Sequence, residues 1–190
     1  MVKIPAIKIE LPVWVETFVE WEKQYLTDED KMSLAINLSL ENVRQNTGGP
    51  FGAAIFEVES GKLLSVGMNQ VVRLNNSTLH AEVTAIMSAQ TVLGTFSLNS
   101  ADSTKYELFS SCEPCCMCLG ATLWSGVNRL VCAANKDDAS QIGFDEGPVY
   151  ESSYEYLEAR GISVKRGFLR DEAIKAFDLY RKTGGVIYNR

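Results

Sequence analysis

YELFSSCEPCCMCLGATLWSGVNRLVCA, residues 106–133, is the stretch on which the fold turns. Tyr106 to Ser111 reads as a strand, Cys115 to Trp124 as a short helix, and Arg129 to Ala133, rich in Leu, Val and Ala, as a second strand. Downstream the alternation continues with a helix near Tyr154 to Arg160, a strand near Ile162 to Phe168 and an amphipathic helix from Asp171 to Lys182. Upstream, His80 to Leu93 reads as a helix stopped at Gly94. Before it, Phe51 to Val58 and Lys62 to Gly67 form strands joined by the turn Glu59-Ser60-Gly61. Thr27, with Asp30 three residues on, opens a helix whose apolar residues Met32, Ile36, Leu40 and Val43 recur at helical spacing until Gly48-Gly49-Pro50 breaks it. The aromatic-rich residues 13–25 are expected to form a further helix. Five strands interleaved with helices imply an α/β sandwich around a central mixed sheet.

Composition agrees with one compact domain. The chain has 190 residues, 46% apolar and 22% charged, which is ordinary globular usage and excludes a disordered, collagen-like or coiled-coil chain. Its net charge of −6 repels phosphate backbones, so no nucleic-acid partner is expected. From Gly161 onward, Lys165, Arg166, Arg170, Lys175, Arg181, Lys182 and Arg190 outnumber Asp171, Glu172 and Asp178, but they interleave with apolar residues as a solvated helix face does. No apolar run of signal-peptide or membrane length occurs, so a cytoplasmic protein with no membrane partner is expected. Four of the five cysteines crowd between Cys112 and Cys118, a poor geometry for a disulfide framework and a good one for metal or redox chemistry.

The single histidine, His80, stands in His80-Ala81-Glu82, and Pro114-Cys115-Cys116-Met117-Cys118 follows later in the chain. With a helix opening at the cysteines, Cys115 and Cys118 share a face, and the exposed amides there favour thiolates. His80, Cys115 and Cys118 then make a three-ligand zinc set with the fourth position open. Zinc so held lowers the pKa of a bound water enough to supply hydroxide near neutrality. Glu82, two residues after the histidine, is placed to shuttle the proton. The order H-x-E followed by P-C-x-x-C is the signature of zinc-dependent base deaminases. Two rival readings remain: a redox dithiol of Cys112 and Cys115, and a closed structural zinc on His80, Cys112, Cys115 and Cys118, which would make the chain an interaction module and leave Glu82 without a task. Cys116 and Cys132 are expected to be small buried hydrophobes.

At these residues the chain resembles the cytidine deaminase-like superfamily, and within it the bacterial guanine deaminases. The resemblance rests on Gly48-Gly49-Pro50-Phe51-Gly52-Ala53, Asn69, His80 to Ile86, Ser111 to Ala121, Ile142-Gly143-Phe144-Asp145-Glu146 and Gly185-Val186-Ile187-Tyr188-Asn189. It spans residues 28–190 and leaves residues 1–27 as an unexplained extension. It implies a three-layer α/β/α sandwich with a mixed five-stranded sheet, and hydrolytic deamination of guanine to xanthine and ammonia. A nucleoside such as guanosine, or an aminotriazine such as ammeline, is the alternative substrate. It also implies zinc on His80, Cys115 and Cys118, with Glu82 as proton shuttle. Phe51 would stack on the purine, Asn69 would bond its polar edge, and the backbone around Ala53 would line the reacting centre. Glu146 or Asp145 would act as a second acid, and of the two Glu146 shares a side with Phe144 in an extended segment. A homodimer is implied, as is a C-terminal stretch, residues 183–190, that closes an active site around Tyr188. Leu79 and Cys116 depart from the usual pattern.

Overall fold

A hairpin and a strand-helix-strand unit share one sheet. The structure, a computed structural model, describes residues 6–99 and 104–189, so the first five residues of the expected extension and the last of the expected tail lie outside the described residues. Helices α1 (Trp14–Phe18) and α2 (Asp28–Arg44) precede strands β1 (Gly52–Glu57) and β2 (Leu63–Met68). Then come α3 (Val71–Leu74), α4 (Ala81–Leu93), β3 (Tyr106–Cys112), α5 (Cys116–Ser125) and β4 (Arg129–Ala134). The chain ends through α6 (Lys136–Gln141), α7 (Glu151–Ala159), β5 (Ser163–Lys165) and α8 (Arg170–Lys182).

The sheet order is β2-β1-β3-β4-β5. β1 is antiparallel to both β2 and β3, whereas β3, β4 and β5 are parallel. Alternate strand residues leave the sheet on opposite sides. Ala54, Phe56, Phe109, Val131 and Ala133 pack with Met32, Leu38 and Phe177 of α2 and α8. Ala53, Ile55, Leu108, Leu130 and Cys132 pack with Ala85, Ala89 and Leu157 of α4 and α7. The chain is therefore the three-layer α/β/α sandwich with a mixed five-stranded sheet that was expected. Among the described residues no helix is long and apolar enough to cross a membrane.

Local signals held where the chain could act on them alone. Thr27 caps α2, its hydroxyl oxygen accepting from Asp30 N at 3.1 Å, and Gly94 ends α4 in the left-handed conformation. Three expectations need correction. The helix over residues 13–25 stops at Phe18, because Tyr25 is drawn onto Phe56, ring centroids 5.2 Å apart, and its N–H is taken by Gly61 O. The strand near 162–168 shrinks to Ser163–Lys165, since Arg166 turns away to Glu113 and Glu151. Helices α3 and α6 were not anticipated, although Asn135 and Asp138 form a capping box that marks the start of α6.

At the edge of the sheet where β3 and β4 begin, Glu107 is 1% exposed and takes Lys31 at 2.5 Å and Arg129 at 2.8 Å. Arg129 also grips Asp28 at 2.6 Å and holds its carboxyl well below the usual range. The start of α2 is thus tied to the base of the sheet. On the other face α4 sits directly on β2 at Gly67, where a Cβ would lie 2.1 Å from Ala81 O and 2.4 Å from Ala85 N. Gly67→Ala is therefore expected to lower the urea midpoint of unfolding by the equivalent of roughly 1–3 kcal/mol, as overpacking does.

Candidate active site

His80 and Cys115 are the N-cap residues of α4 and α5, both in extended conformation, and neither side chain caps its own helix. Their side chains are free to meet. His80 Nδ1 lies 3.4 Å from Cys115 Sγ, and the donor atoms of His80, Cys115 and Cys118 all lie within 4.8 Å of one another. The bond from Cys118, then that from His80, lowers the Cys115 thiol to about 4, against the burial that raises it. The same bond with Cys115, followed by burial, pushes the Cys118 thiol up. Burial works to lower the His80 imidazole, but the bond and charge of Cys115 outweigh it and the group lies above its ordinary value.

One imidazole and two thiols converging from two helix starts match the borderline-soft donors that zinc takes, and three donors leave a fourth position for water or substrate. Cys112 does not join them. Its thiol faces Asn135 O at 3.7 Å, and among the described residues the converging group holds no fourth side chain. Burial pushes the Cys112 thiol well above its ordinary range, which argues against a redox dithiol with Cys115 as well. All five cysteines are free.

Two carboxylates flank the donor set. Glu82, in the first turn of α4, is 6% exposed and accepts from Ser110 Oγ at 3.2 Å; burial, then the charge of Cys115, raises its carboxyl. Glu146 is 8% exposed and raised to about 8 by burial, then by Cys115 and Glu82. Its backbone carbonyl accepts from Cys116 N, which fixes this segment to the start of α5. Asp145 is exposed, and its side chain accepts from Gly147 N instead.

Phe51, His80, Glu82, Glu113, Cys115, Glu146 and Tyr188 line one cavity. Phe51 is braced edge-on by Phe144 and Phe177 at 5.1 and 5.5 Å. The chain's own tail reaches the site: the Tyr188 ring lies 6.1 Å from His80 and 5.0 Å from Phe144. Its hydroxyl accepts from Asn69 Nδ2 at 2.6 Å. Beside Tyr188 the cavity measures about 10 Å³, room for about one water.

The alternation of β1 buries the Ala53 side chain under α4 with Ala81 and Ala85, which leaves only its backbone to face the reacting centre. Cys116 is exposed rather than buried, because the first turn of α5 turns it out toward Gly147, whereas Cys132 is buried as expected. Glu113 was missed. It takes Arg166 Nε at 2.6 Å and Lys136 N at 3.1 Å, and its place within the cysteine motif was the available signal.

The pattern described as "Cytidine and deoxycytidylate deaminase zinc-binding region" matches residues 26–134. A guanine deaminase of Bacillus subtilis is 39% identical over 137 residues, 72% of this chain and 83% of that protein. A solved structure of guanine deaminase from Nitrosomonas europaea is 42% identical, covers 93% of this chain and 97% of its own, and superposes with a TM-score of 0.88. A solved structure of the protein NE0047 in complex with 2,6-diaminopurine is 43% identical over 97% of each chain with a TM-score of 0.90. Zinc is the metal that the donor set and the matching region together assign. Elemental analysis is expected to find about one zinc per chain, kept in Cys112→Ser and lost in Cys115→Ser; the reverse result would move the site.

Proposed function

Because the chain belongs to the cytidine and deoxycytidylate deaminase zinc-binding family, we propose that within it the protein hydrolyses the exocyclic amine of guanine, giving xanthine and ammonia. The observation that carries this reading is the convergence of a second buried carboxylate, Glu146, on the same donor set as Glu82. Guanine bears its amine at C2, between two ring nitrogens, so protonating the ring and protonating the leaving amine call for acids on different sides.

His80, Cys115 and Cys118 would hold zinc, which when bound would make water a nucleophile near neutrality. Glu82 takes up the proton released by the nucleophilic water and delivers it to a ring nitrogen. Glu146 gives a proton to the amine as the C2–N bond breaks and recovers one from the hydroxyl on C2 as the carbonyl forms, so that the two protons of water end on the ring nitrogen and on ammonia. Phe51 offers its face to the base and is held by Phe144 and Phe177. Asn69 Oδ1 is engaged by Gly49 N and Val71 N, both at 3.3 Å, which turns Nδ2 outward as a donor for the polar edge of the purine. In this scheme the purine takes over that donor from the Tyr188 hydroxyl. The tail from residue 183 swings out to admit the base and returns to cover it, keeping bulk water from the reacting centre.

Five free cysteines suit the reducing cytoplasm. Met87 and Leu93 of α4, Phe96 beyond it and Trp124 of α5 are exposed, Phe96 by 91% and Trp124 by 81%, and a second copy of the chain is the partner we assign to this side of the molecule. Sedimentation velocity is expected to find a dimer, and Phe96→Glu with Trp124→Glu a monomer.

Ammonia release from guanine, guanosine, adenine, cytosine, cytidine and ammeline tests the substrate reading: guanine is expected to react fastest, and preference for a pyrimidine would overturn it. Glu82→Gln and Glu146→Gln are each expected to keep zinc and lose turnover by roughly 10²-fold or more. Asp145→Asn should be mild. Equal, small effects at 145 and 146 would remove the second-acid role from both.

A further inference from the structure

Asn42, on the buried side of α2, is 0% exposed and uses its whole side-chain amide. Its Nδ2 donates to Gly49 O at 2.9 Å and to Asn69 O at 2.8 Å. Its Oδ1 accepts from Thr47 Oγ1 at 2.7 Å. The Thr47 oxygen in turn accepts from Trp14 Nε1 at 3.0 Å. An unbroken line of hydrogen bonds therefore runs from α1, in the extension that the family resemblance leaves unexplained, to the backbone of Asn69. It ends where Asn69 Nδ2 is aimed into the site.

Nothing else could stand in that line. A Cβ on Gly48 would lie 1.8 Å from Asn69 O and 2.7 Å from Asn42 Nδ2, so the loop before Phe51 is pressed against the backbone of Asn69 with no room between them. Gly49 N and Asn69 N also bond across this junction, to Asn69 Oδ1 and Phe51 O respectively. Holding Asn42 thus holds both Asn69 and the approach to Phe51. The extension is itself held on the far side of α3, where Arg73 Nη1 donates to Glu10 O at 2.8 Å.

We propose that Asn42, oriented by Thr47 and Trp14, is a positioning residue that sets the Asn69 donor for the purine, and that the N-terminal segment through Trp14 thereby tunes substrate affinity. The inference rests on the reading of Asn69 as the group that bonds the base. An Asn amide can turn over; with Oδ1 held by Thr47, both Nδ2 hydrogens stay on the two carbonyls. Without that hold the amide has a second orientation, in which its oxygen faces two carbonyl oxygens and the junction opens.

Steady-state kinetics on the zinc-loaded full chain tests this. Thr47→Val keeps the shape and removes the hydroxyl; KM for guanine is expected to rise about 3- to 10-fold, the effect of one neutral hydrogen bond, with kcat within about twofold and zinc content unchanged. Thr47→Ser should restore KM. Trp14→Phe, which keeps an aromatic ring and removes only the Nε1 donor, should move KM in the same direction and serves if Thr47→Val folds poorly. In an Asn69→Ala background, Thr47→Val should add little. The relay is overturned if Thr47→Val and Trp14→Phe leave KM unchanged while Asn69→Ala raises it, or if the two effects add in full. If Asn69→Ala leaves KM for guanine unchanged, the reading of Asn69 fails first and takes the relay with it.

Discussion

Two helices begin at the same edge of the sheet, and the chemistry depends on that coincidence. β2 and β3 are both antiparallel to β1, so β2, β3, β4 and β5 run in one direction and Met68 and Cys112 end at a common edge. Of the helices that follow strands ending there, α4 opens at His80 and α5 at Cys115. Close seating of α4 on β2 at Gly67 fixes how far the first helix start stands from the sheet. The parallel pair β3 and β4 fixes the second, because α5 is the crossover between them. Exposed amides at both starts favour the anionic groups gathered there.

Three buried or nearly buried carboxylates surround the cavity, and their partners differ. Glu113 is held by Arg166, which also grips Glu151 and lies over the Tyr154 ring at 4.1 Å. Glu82 and Glu146 have no Lys or Arg partner among the described residues. Burial raises the carboxyls of both. The paired acid anchors the cysteine-bearing loop.

The opposite end of the sheet carries a network of charges. There Lys31, Glu107, Arg129, Asp28 and Lys165 form an ion network that joins α2 to the beginnings of β3 and β4 and to the end of β5. Breaking one member would strand a buried charge, a costly event in a dry interior. This network lies away from the donor set, at the other end of the strands.

Periodicity and capping determined the helices that carry their own signals, such as α2 with Thr27 and α4 with Gly94, and the spacing of His80, Glu82, Cys115 and Cys118 determined the chemistry, because both are written in neighbouring residues. The distant partners were decided only in three dimensions. Arg166 meets Glu113, Tyr25 abandons a helix for Phe56, and Tyr188 reaches Asn69 from the far end of the chain. None of these pairings leaves a trace in local sequence, since each is selected by which buried polar group or apolar surface remains unsatisfied once the sheet and its two layers have assembled.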